Sequence, residues 1–249
     1  MSKNQEHQEK IQRRCLDVIK DNISEKDCFG LSNSHYSEFK RWLSEAKPNV
    51  ETNKFPDFVI SDGFIEHFEV TSSLENKSGS EQKRKSSIFK ENSKKDFLSK
   101  LNNSEDETLV SRSYERELEG HSYSNLVKSI KKNFKKHIDS YHKSKTVFED
   151  RIFLIEHTDV NLQTAVLREK EPAEVFNSYK ISTDKEMLEW VYRYKEKLDY
   201  LIFVNPFVLS IEVIRVKNIP EFKDRIPKSR YESTIAIEAH EFMNLKIFN

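Results

Sequence analysis

The 249-residue chain has little glycine, little cysteine and no excess of either charge. Its 4 Gly leave no GxGxxG or GxxxxGK[ST] loop, which argues against the usual phosphate-binding folds. The 2 Cys, Cys15 and Cys28, are too few for a disulfide framework or a cysteine-based zinc site, and this fits a reducing compartment. With 42 basic and 42 acidic residues the formal net charge is zero, so a nucleic-acid surface would require local segregation of charge.

Long apolar runs are also missing. The first residues lack the apolar stretch of a signal peptide, and the longest apolar run, near 200–209, is far too short to span a membrane. We therefore expect a cytoplasmic protein without a membrane partner. The 17 Phe and 9 Tyr supply enough bulk for a packed core. The length allows one large domain or two small ones, and we predict a single α/β domain over 1–249.

The spacing of apolar residues predicts the order of elements. Amphipathic helices are expected at 5–22, 37–46 and 124–143, and another begins at a capping box, Thr183 to Glu186. Strands are expected at 151–158, 200–204 and 209–216, with a weaker one from 233 to 248. The succession helix, strand, helix, strand in 124–204 predicts parallel pairing, because the connections are long enough for crossovers.

The stretch 55–73 combines structure with chemistry. Two short runs rich in Val, Ile and Phe flank Asp62-Gly63, a strong signal for a β-hairpin. Asp57 opens the first strand, and His67, Glu69 and Thr71 alternate on one face of the second. A purely structural strand would not need such a polar face.

The register of this hairpin decides whether the acids meet. A two-residue loop at Asp62-Gly63 would put Asp57 opposite Phe68, whereas one extra residue in the loop would put it opposite Glu69. The longer loop also groups Phe58, Phe68 and Val70 on the other face. We therefore predict a three-residue or bulged turn, with Asp57 and Glu69 side by side.

Two further segments have distinctive compositions. Residues 74–120 are rich in Ser, Lys, Glu and Asn, and we interpret them as a partly helical, mobile insertion that acts as a lid, a DNA-binding flap or only a long excursion. The helix at 124–143 is basic outside its apolar stripe. A solvated helix face explains these lysines as well as phosphate contact does. The basic positions in 121–145, set against the single acid Asp139, are Lys128, Lys131, Lys132, Lys135, Lys136, Lys143 and Lys145.

The order of elements, together with Pro56-Asp57 and Glu69-x-Thr71, resembles the PD-(D/E)xK nuclease superfamily and its restriction-endonuclease-like core. The resemblance covers 37–73 and 124–204, leaving 74–120 as an insertion and 205–249 as a C-terminal extension. It implies an α/β fold with a mixed sheet flanked by helices. It also implies that Asp57 and Glu69 hold Mg²⁺ or Mn²⁺, which activates water against a phosphodiester bond.

The chain departs from the family pattern at Thr71, where the family has lysine. Threonine cannot supply the positive charge of that lysine, and Lys128 or Lys132 would be its substitutes. His67 is a candidate for proton transfer, because the pKa of an unperturbed histidine is near neutrality. Glu156 and His157, which end a predicted strand, and Glu38 are weaker candidates.

Three functions fit this sequence. The first is a metal-dependent nuclease acting on nucleic acid, DNA in the first place, with Lys128, Lys132 and Lys135 as phosphate contacts; a homodimer is left open. The second is a catalytically inactive nuclease-fold module that binds nucleic acid or a protein. The third is an interaction protein whose working surface is 74–120. Each acid also has a plain structural explanation, since Asp57 can simply open a strand and Glu69 can be a solvated residue.

Overall fold

The computed structural model describes residues 3–49, 55–73, 80–105, 109–117, 121–144, 146–233 and 237–245. Parts of the predicted insertion (74–79, 106–108 and 118–120) and of the C-terminal extension (234–236 and 246–249) lie outside these residues. The chain divides into two compact units. The first contains Met1–Ser72 and Ser122–Glu232, and the second contains Ser73–His121 and Ser233–Asn249.

Six α-helices and twelve strands lie within the described residues. The helices are α1 (Lys3–Asn22), α2 (Asn33–Glu45), α3 (Ser80–Asn102), α4 (Tyr123–Ser144), α5 (Lys185–Tyr192) and α6 (Ile219–Phe222). The strands are β1 (Cys28–Phe29), β2 (Lys47–Pro48), β3 (Phe58–Ile60), β4 (Gly63–Val70), β5 (Leu109–Glu117), β6 (Asp150–His157), β7 (Leu162–Leu167), β8 (Glu174–Phe176), β9 (Tyr200–Asn205), β10 (Ser210–Arg215), β11 (Lys228–Ser233) and β12 (Ile237–Leu245).

The first unit is built on a seven-stranded mixed sheet in the order β1-β10-β9-β6-β4-β3-β2. Strands β4, β6 and β9 are parallel. The parallel pairing of β6 with β9 confirms the prediction made for the apolar runs at 151–158 and 200–204. Strands β3 and β10 run antiparallel to their neighbours β4 and β9. The fold is therefore a mixed α/β fold with a large sheet and helices, as the sequence predicted at that level.

The sheet separates two hydrophobic clusters. Side chains of α1 and α2, among them Leu16 and Trp42, pack with Ile65 on one face. Side chains of α4 and α5, among them Phe134, pack with Phe68 on the other face. Because successive side chains of a strand point to opposite faces, β4 contributes to both clusters.

The hairpin register differs from the prediction. Ile60 pairs with Gly63, so the loop has two residues, Ser61 and Asp62, and Phe58 pairs with Ile65. The predicted bulged turn is therefore wrong. The prediction failed because it grouped Phe58 with Phe68, whereas Phe58 belongs to the cluster under α1 and α2.

Gly63 is needed for close approach rather than for a turn conformation. A Cβ atom built on Gly63 would lie 2.1 Å from the backbone oxygen of Asp150, its partner on β6. Only glycine allows β4 and β6 to pair at this end. The Asp62-Gly63 signal thus located the hairpin correctly, but the glycine is the first residue of the strand.

The start of α5 also differs in detail from the prediction. The N-cap is Asp184, whose carboxylate accepts the backbone N–H of Met187 at 3.0 Å, and Thr183 belongs to the preceding 3-10 turn. Asp184 also accepts hydrogen bonds from the hydroxyls of Tyr123 and Tyr179. The cap therefore joins α5 to neighbouring segments, which sequence spacing does not reveal.

The second unit contains α3 and the antiparallel pair β5 and β12. Phe97 of α3 stacks on Phe242 of β12, with ring centroids 5.5 Å apart. The predicted insertion is thus partly helical, and the strand predicted near the carboxyl end pairs with it. In the part of the chain that the structure describes, no helix is long and apolar enough to cross a membrane.

Gly63→Ala tests the close approach. The methyl group would collide with the backbone of Asp150, so we expect the free energy of unfolding to fall by about 3 kcal/mol, as for other overpacked sites. Urea denaturation followed by circular dichroism measures the change. Ser61→Ala, in the exposed loop next to it, should change stability by less than about 0.5 kcal/mol. Equal stability of the two variants would contradict the proposed role of Gly63.

Candidate functional sites at the ends of the parallel strands

The predicted pair Asp57 and Glu69 is not assembled as expected. Continuing the hairpin register places Asp57 across from Glu66, three residues before Glu69. The carboxylate of Asp57 accepts the backbone N–H of His67 at 2.8 Å, and the N–H of Asp57 donates to Glu66 Oε2 at 3.2 Å. Asp57 is therefore tied to the main chain at the start of β3, whereas Glu69 is exposed on β4.

Glu69 instead lies beside Glu156. The two residues are register partners on the adjacent strands β4 and β6, so their side chains project from the same face near the strand ends. His67, two residues earlier on β4, shares this face, and its Nε2 lies 2.8 Å from Glu156 Oε2. Of the residues predicted for chemistry, Glu69 and His67 are brought together, and Glu156 takes the place foreseen for Asp57.

Cys15 of α1 completes a buried cluster with His67 and Glu156. One potential ligand atom from each of the three lies within 4.8 Å of the other two. All three side chains are almost fully buried, at 1%, 4% and 3% exposure. Burial, reinforced by the negative charges of Glu156 and Glu69, raises the pKa of the Cys15 thiol.

The magnesium site implied by the family resemblance does not fit these positions. Such a site needs the carboxylates of Asp57 and Glu69 on one cation, but Asp57 is held at the N–H of His67 and pairs with a different part of β4. The buried cluster offers a thiol and an imidazole, which are not ligands that Mg²⁺ prefers. Asp57 and Glu69 therefore do not form a shared Mg²⁺ site.

A second polar group lies on the opposite face, under α4. His137 Nδ1 of α4 lies 2.6 Å from Glu66 Oε1, and its ring stacks on Phe68 with centroids 4.5 Å apart. Burial raises the pKa of Glu66, while the hydrogen bond from His137 opposes that shift. With the N–H of Asp57 on its other oxygen, Glu66 is bonded at both oxygens. This group anchors α4 to the hairpin.

Thr71 lies beyond β4, at the carboxyl ends of the parallel strands. Its hydroxyl donates to Asp159 Oδ2 at 3.1 Å, and the Ser72 hydroxyl donates to the same oxygen at 2.8 Å. His157 Nε2, at the end of β6, is 3.3 Å from that oxygen. Thr71 is therefore a hydrogen-bond partner of Asp159.

The predicted phosphate contacts lie on one exposed side of α4. Lys128, Lys132 and Lys135 are exposed, whereas Ile130 and Phe134 of the same helix are fully buried. Lys136 continues this lysine face. None of the four lysines forms an ion pair with another described residue. Lys131 is different, because its ammonium lies over the ring of Trp190 at 5.6 Å.

A cleft of about 650 Å³ opens elsewhere in the first unit. Its lining combines cations such as Lys180 and Arg225 with apolar groups such as Phe29 and Phe222. The buried carboxylate of Glu212 also lines it and accepts the N–H of Ile181 at 2.8 Å. The cleft has the size of a small-molecule site. None of the catalytic, metal-binding or phosphate-contact residues predicted from the sequence lines this cleft.

Sequence reasoning missed Cys15, Glu66, His137 and Asp159 as members of polar groups. Cys15 falls in the apolar stripe of α1, a pattern that accounts for its burial but does not predict which polar side chains it contacts. Glu66 lies on the opposite face of β4 from His67, and the alternation of residues along the strand predicts no partner for it. Only Glu156 and His157 carried a signal, their position at the end of a predicted strand.

Comparison with known proteins adds no family assignment. No protein family model, curated protein sequence or solved structure matches this chain.

A double-mutant cycle tests the contact between Glu66 and His137. His137→Ala leaves a buried carboxylate without its partner, so it should destabilise the protein by about 2 to 4 kcal/mol. Glu66→Gln should cost less, because it removes the charge and keeps the shape. The double variant should be more stable than the sum of the single effects predicts, with a coupling of about 1 to 3 kcal/mol in urea unfolding. Additive effects would show that the pair does not anchor α4.

Proposed function

We propose that this chain is a nucleic-acid-binding protein with a restriction-endonuclease-like core. The observation that carries the proposal is the lysine face of α4, formed by Lys128, Lys132, Lys135 and Lys136. These four ammonium groups are exposed and lack ion-pair partners among the described residues, in a chain with equal numbers of acids and bases. Unpaired cations on one helix side suit a phosphate backbone, since each contact releases counterions.

The architecture of the first unit supports the proposal. Its hairpin, the long helix α4, strand β6, helix α5 and strand β9 follow one another in the order on which the family resemblance is based. Strands β7 and β8 are additions between β6 and α5. We propose binding rather than cleavage, because Asp57 and Glu69 do not form the implied metal pair and Thr71 supplies no positive charge.

Charge reversal on the lysine face tests binding. The triple variant Lys128→Glu, Lys132→Glu and Lys135→Glu should bind DNA more weakly than the unaltered protein. The plot of log K against log salt concentration has a negative slope, and its magnitude should decrease by about 2 to 3. Each lost phosphate contact reduces that magnitude by about 0.7 to 0.9. Fluorescence anisotropy of labelled single- and double-stranded DNA at several salt concentrations measures both quantities.

The matched control reverses three exposed lysines elsewhere in the first unit, Lys40, Lys47 and Lys197. It changes the net charge by the same amount and should retain most of the affinity. Equal losses of DNA affinity in the two triple variants would mean that only net charge matters. Unaltered affinity in the variant of Lys128, Lys132 and Lys135 would show that the lysine face does not bind DNA. Melting curves of both variants establish that they are folded.

A second candidate function is hydrolysis of phosphodiester bonds. It is favoured by the position of Glu69 beside Glu156, which gives two carboxylates on adjacent strands near the strand ends, one exposed and one buried. This pair replaces the one implied by the family resemblance. It lies on the α1 side of the sheet, together with His67.

Plasmid nicking tests the second candidate. With millimolar Mg²⁺ or Mn²⁺, cleavage should appear in the unaltered protein, stop with EDTA and disappear in Glu69→Gln. The exposed residue Glu45 provides a control, and Glu45→Gln should cleave normally. If the protein binds DNA but does not nick it with either ion, hydrolysis is rejected and the DNA-binding proposal stands.

A further inference from the structure

The buried cluster of Cys15, His67 and Glu156 has three kinds of metal ligand at one point. A thiol, an imidazole and a carboxylate come from α1, β4 and β6, which are distant in sequence, and their ligand atoms lie within 4.8 Å of one another. This is the one such group of three or more His, Cys, Asp or Glu side chains within the described residues. The three side chains meet in the layer between α1 and the sheet.

The hydrogen bonds among these side chains leave one ring nitrogen without a partner. Glu156 accepts from the Cys15 thiol, and its Oε2 lies 2.8 Å from His67 Nε2. The other ring nitrogen of His67, Nδ1, is buried and has no hydrogen-bond partner in the described part of the chain. The three residues are at most 4% exposed, so their potential ligand atoms meet away from solvent.

One divalent cation matches the charge that these side chains carry as metal ligands. A thiolate and a carboxylate carry two negative charges and a neutral imidazole carries none, so the sum with one divalent ion is zero. The ligand set also selects among ions, because thiolate and imidazole favour Zn²⁺ over Mg²⁺ and Ca²⁺. We propose that Cys15, His67 and Glu156 bind one Zn²⁺ ion, which joins α1 to strands β4 and β6.

The distances are compatible with this ion. Zinc bonds of about 2.0 to 2.3 Å in a tetrahedron place ligand atoms about 3.4 to 3.6 Å apart. His67 Nε2 and Glu156 Oε2, at 2.8 Å, would separate slightly, and the wider contacts of up to 4.8 Å would close by about 1 Å. Three protein ligands leave a fourth position on a tetrahedral ion, which a water molecule would fill.

The experiment uses the full chain and Zn²⁺ itself. After removal of metal with a chelator, Zn²⁺ is titrated in competition with a chromophoric chelator, and Co²⁺ is substituted to report on the ligands. We expect one tightly bound ion per chain, a higher melting temperature with Zn²⁺ and a thiolate-to-cobalt charge-transfer band. Weak binding at several ions per chain, or a Co²⁺ spectrum without thiolate character, would overturn the proposal.

The two cysteines supply matched variants. Cys15→Ala should lose the charge-transfer band and weaken Zn²⁺ binding by more than about 100-fold, beyond the loss typical of outer-shell partners. Cys28→Ala should retain both, because Cys28 lies on β1 and is not part of the cluster. The reverse pattern, or equal binding in the two variants, would reject the assignment.

Glu156→Gln keeps the proposal testable if Cys15→Ala does not fold. It preserves the size of the side chain and removes the charge, and it should weaken Zn²⁺ binding while leaving the charge-transfer band of the remaining Co²⁺ complex. Unaltered affinity in a folded Glu156→Gln protein would exclude Glu156 as a ligand and overturn the three-residue site. None of these readouts depends on nucleic-acid binding, so failure of the proposed function and failure of this inference are distinguishable.

Discussion

The parallel pairing of β4 with β6 is the constraint that brings together the Glu69–Glu156 pair and the cluster of Cys15, His67 and Glu156. Gly63 allows it, because the backbone of Asp150 occupies the space that a Cβ atom would need. From that point the register runs without interruption to Val70 and His157. It places Glu69 beside Glu156 at one end and keeps the two-residue hairpin loop at the other. A change of one residue in this register would separate Glu69 and His67 from Glu156.

The two faces of β4 contribute to different polar groups, because different helices cover them. On the α4 side, Glu66 and His137 satisfy one another and fix the helix that carries the lysine face. On the α1 side, His67 and Glu156 meet a cysteine in a layer with almost no exposure. Polar residues that alternate along one strand thus belong to two separate groups. The nucleic-acid proposal uses the first face and the zinc proposal the second.

Local sequence patterns predicted the elements well where a single segment contains the whole signal. The helical stripe in 124–143 and the apolar runs that became β6 and β9 are of this kind, and so is the hairpin itself. The short strands β1 and β2 were missed, because two residues carry no periodicity. Strands β7 and β8 were also missed. Their pairing depends on each other and on β11, which is distant in the sequence.

The sequence by itself determined the mixed α/β class, the hairpin, the basic helix and the parallel pairing of β6 with β9, since hydrophobic periodicity and turn residues act over neighbouring positions. Tertiary structure alone decided the hairpin register and the partners of each acid. The register was chosen by where Phe58 and Ile65 are buried and by the close approach at Gly63, and both depend on α1, α2 and β6. Cys15 meets His67 and Glu156 for the same reason: their proximity is created by packing, which leaves no local pattern in the sequence.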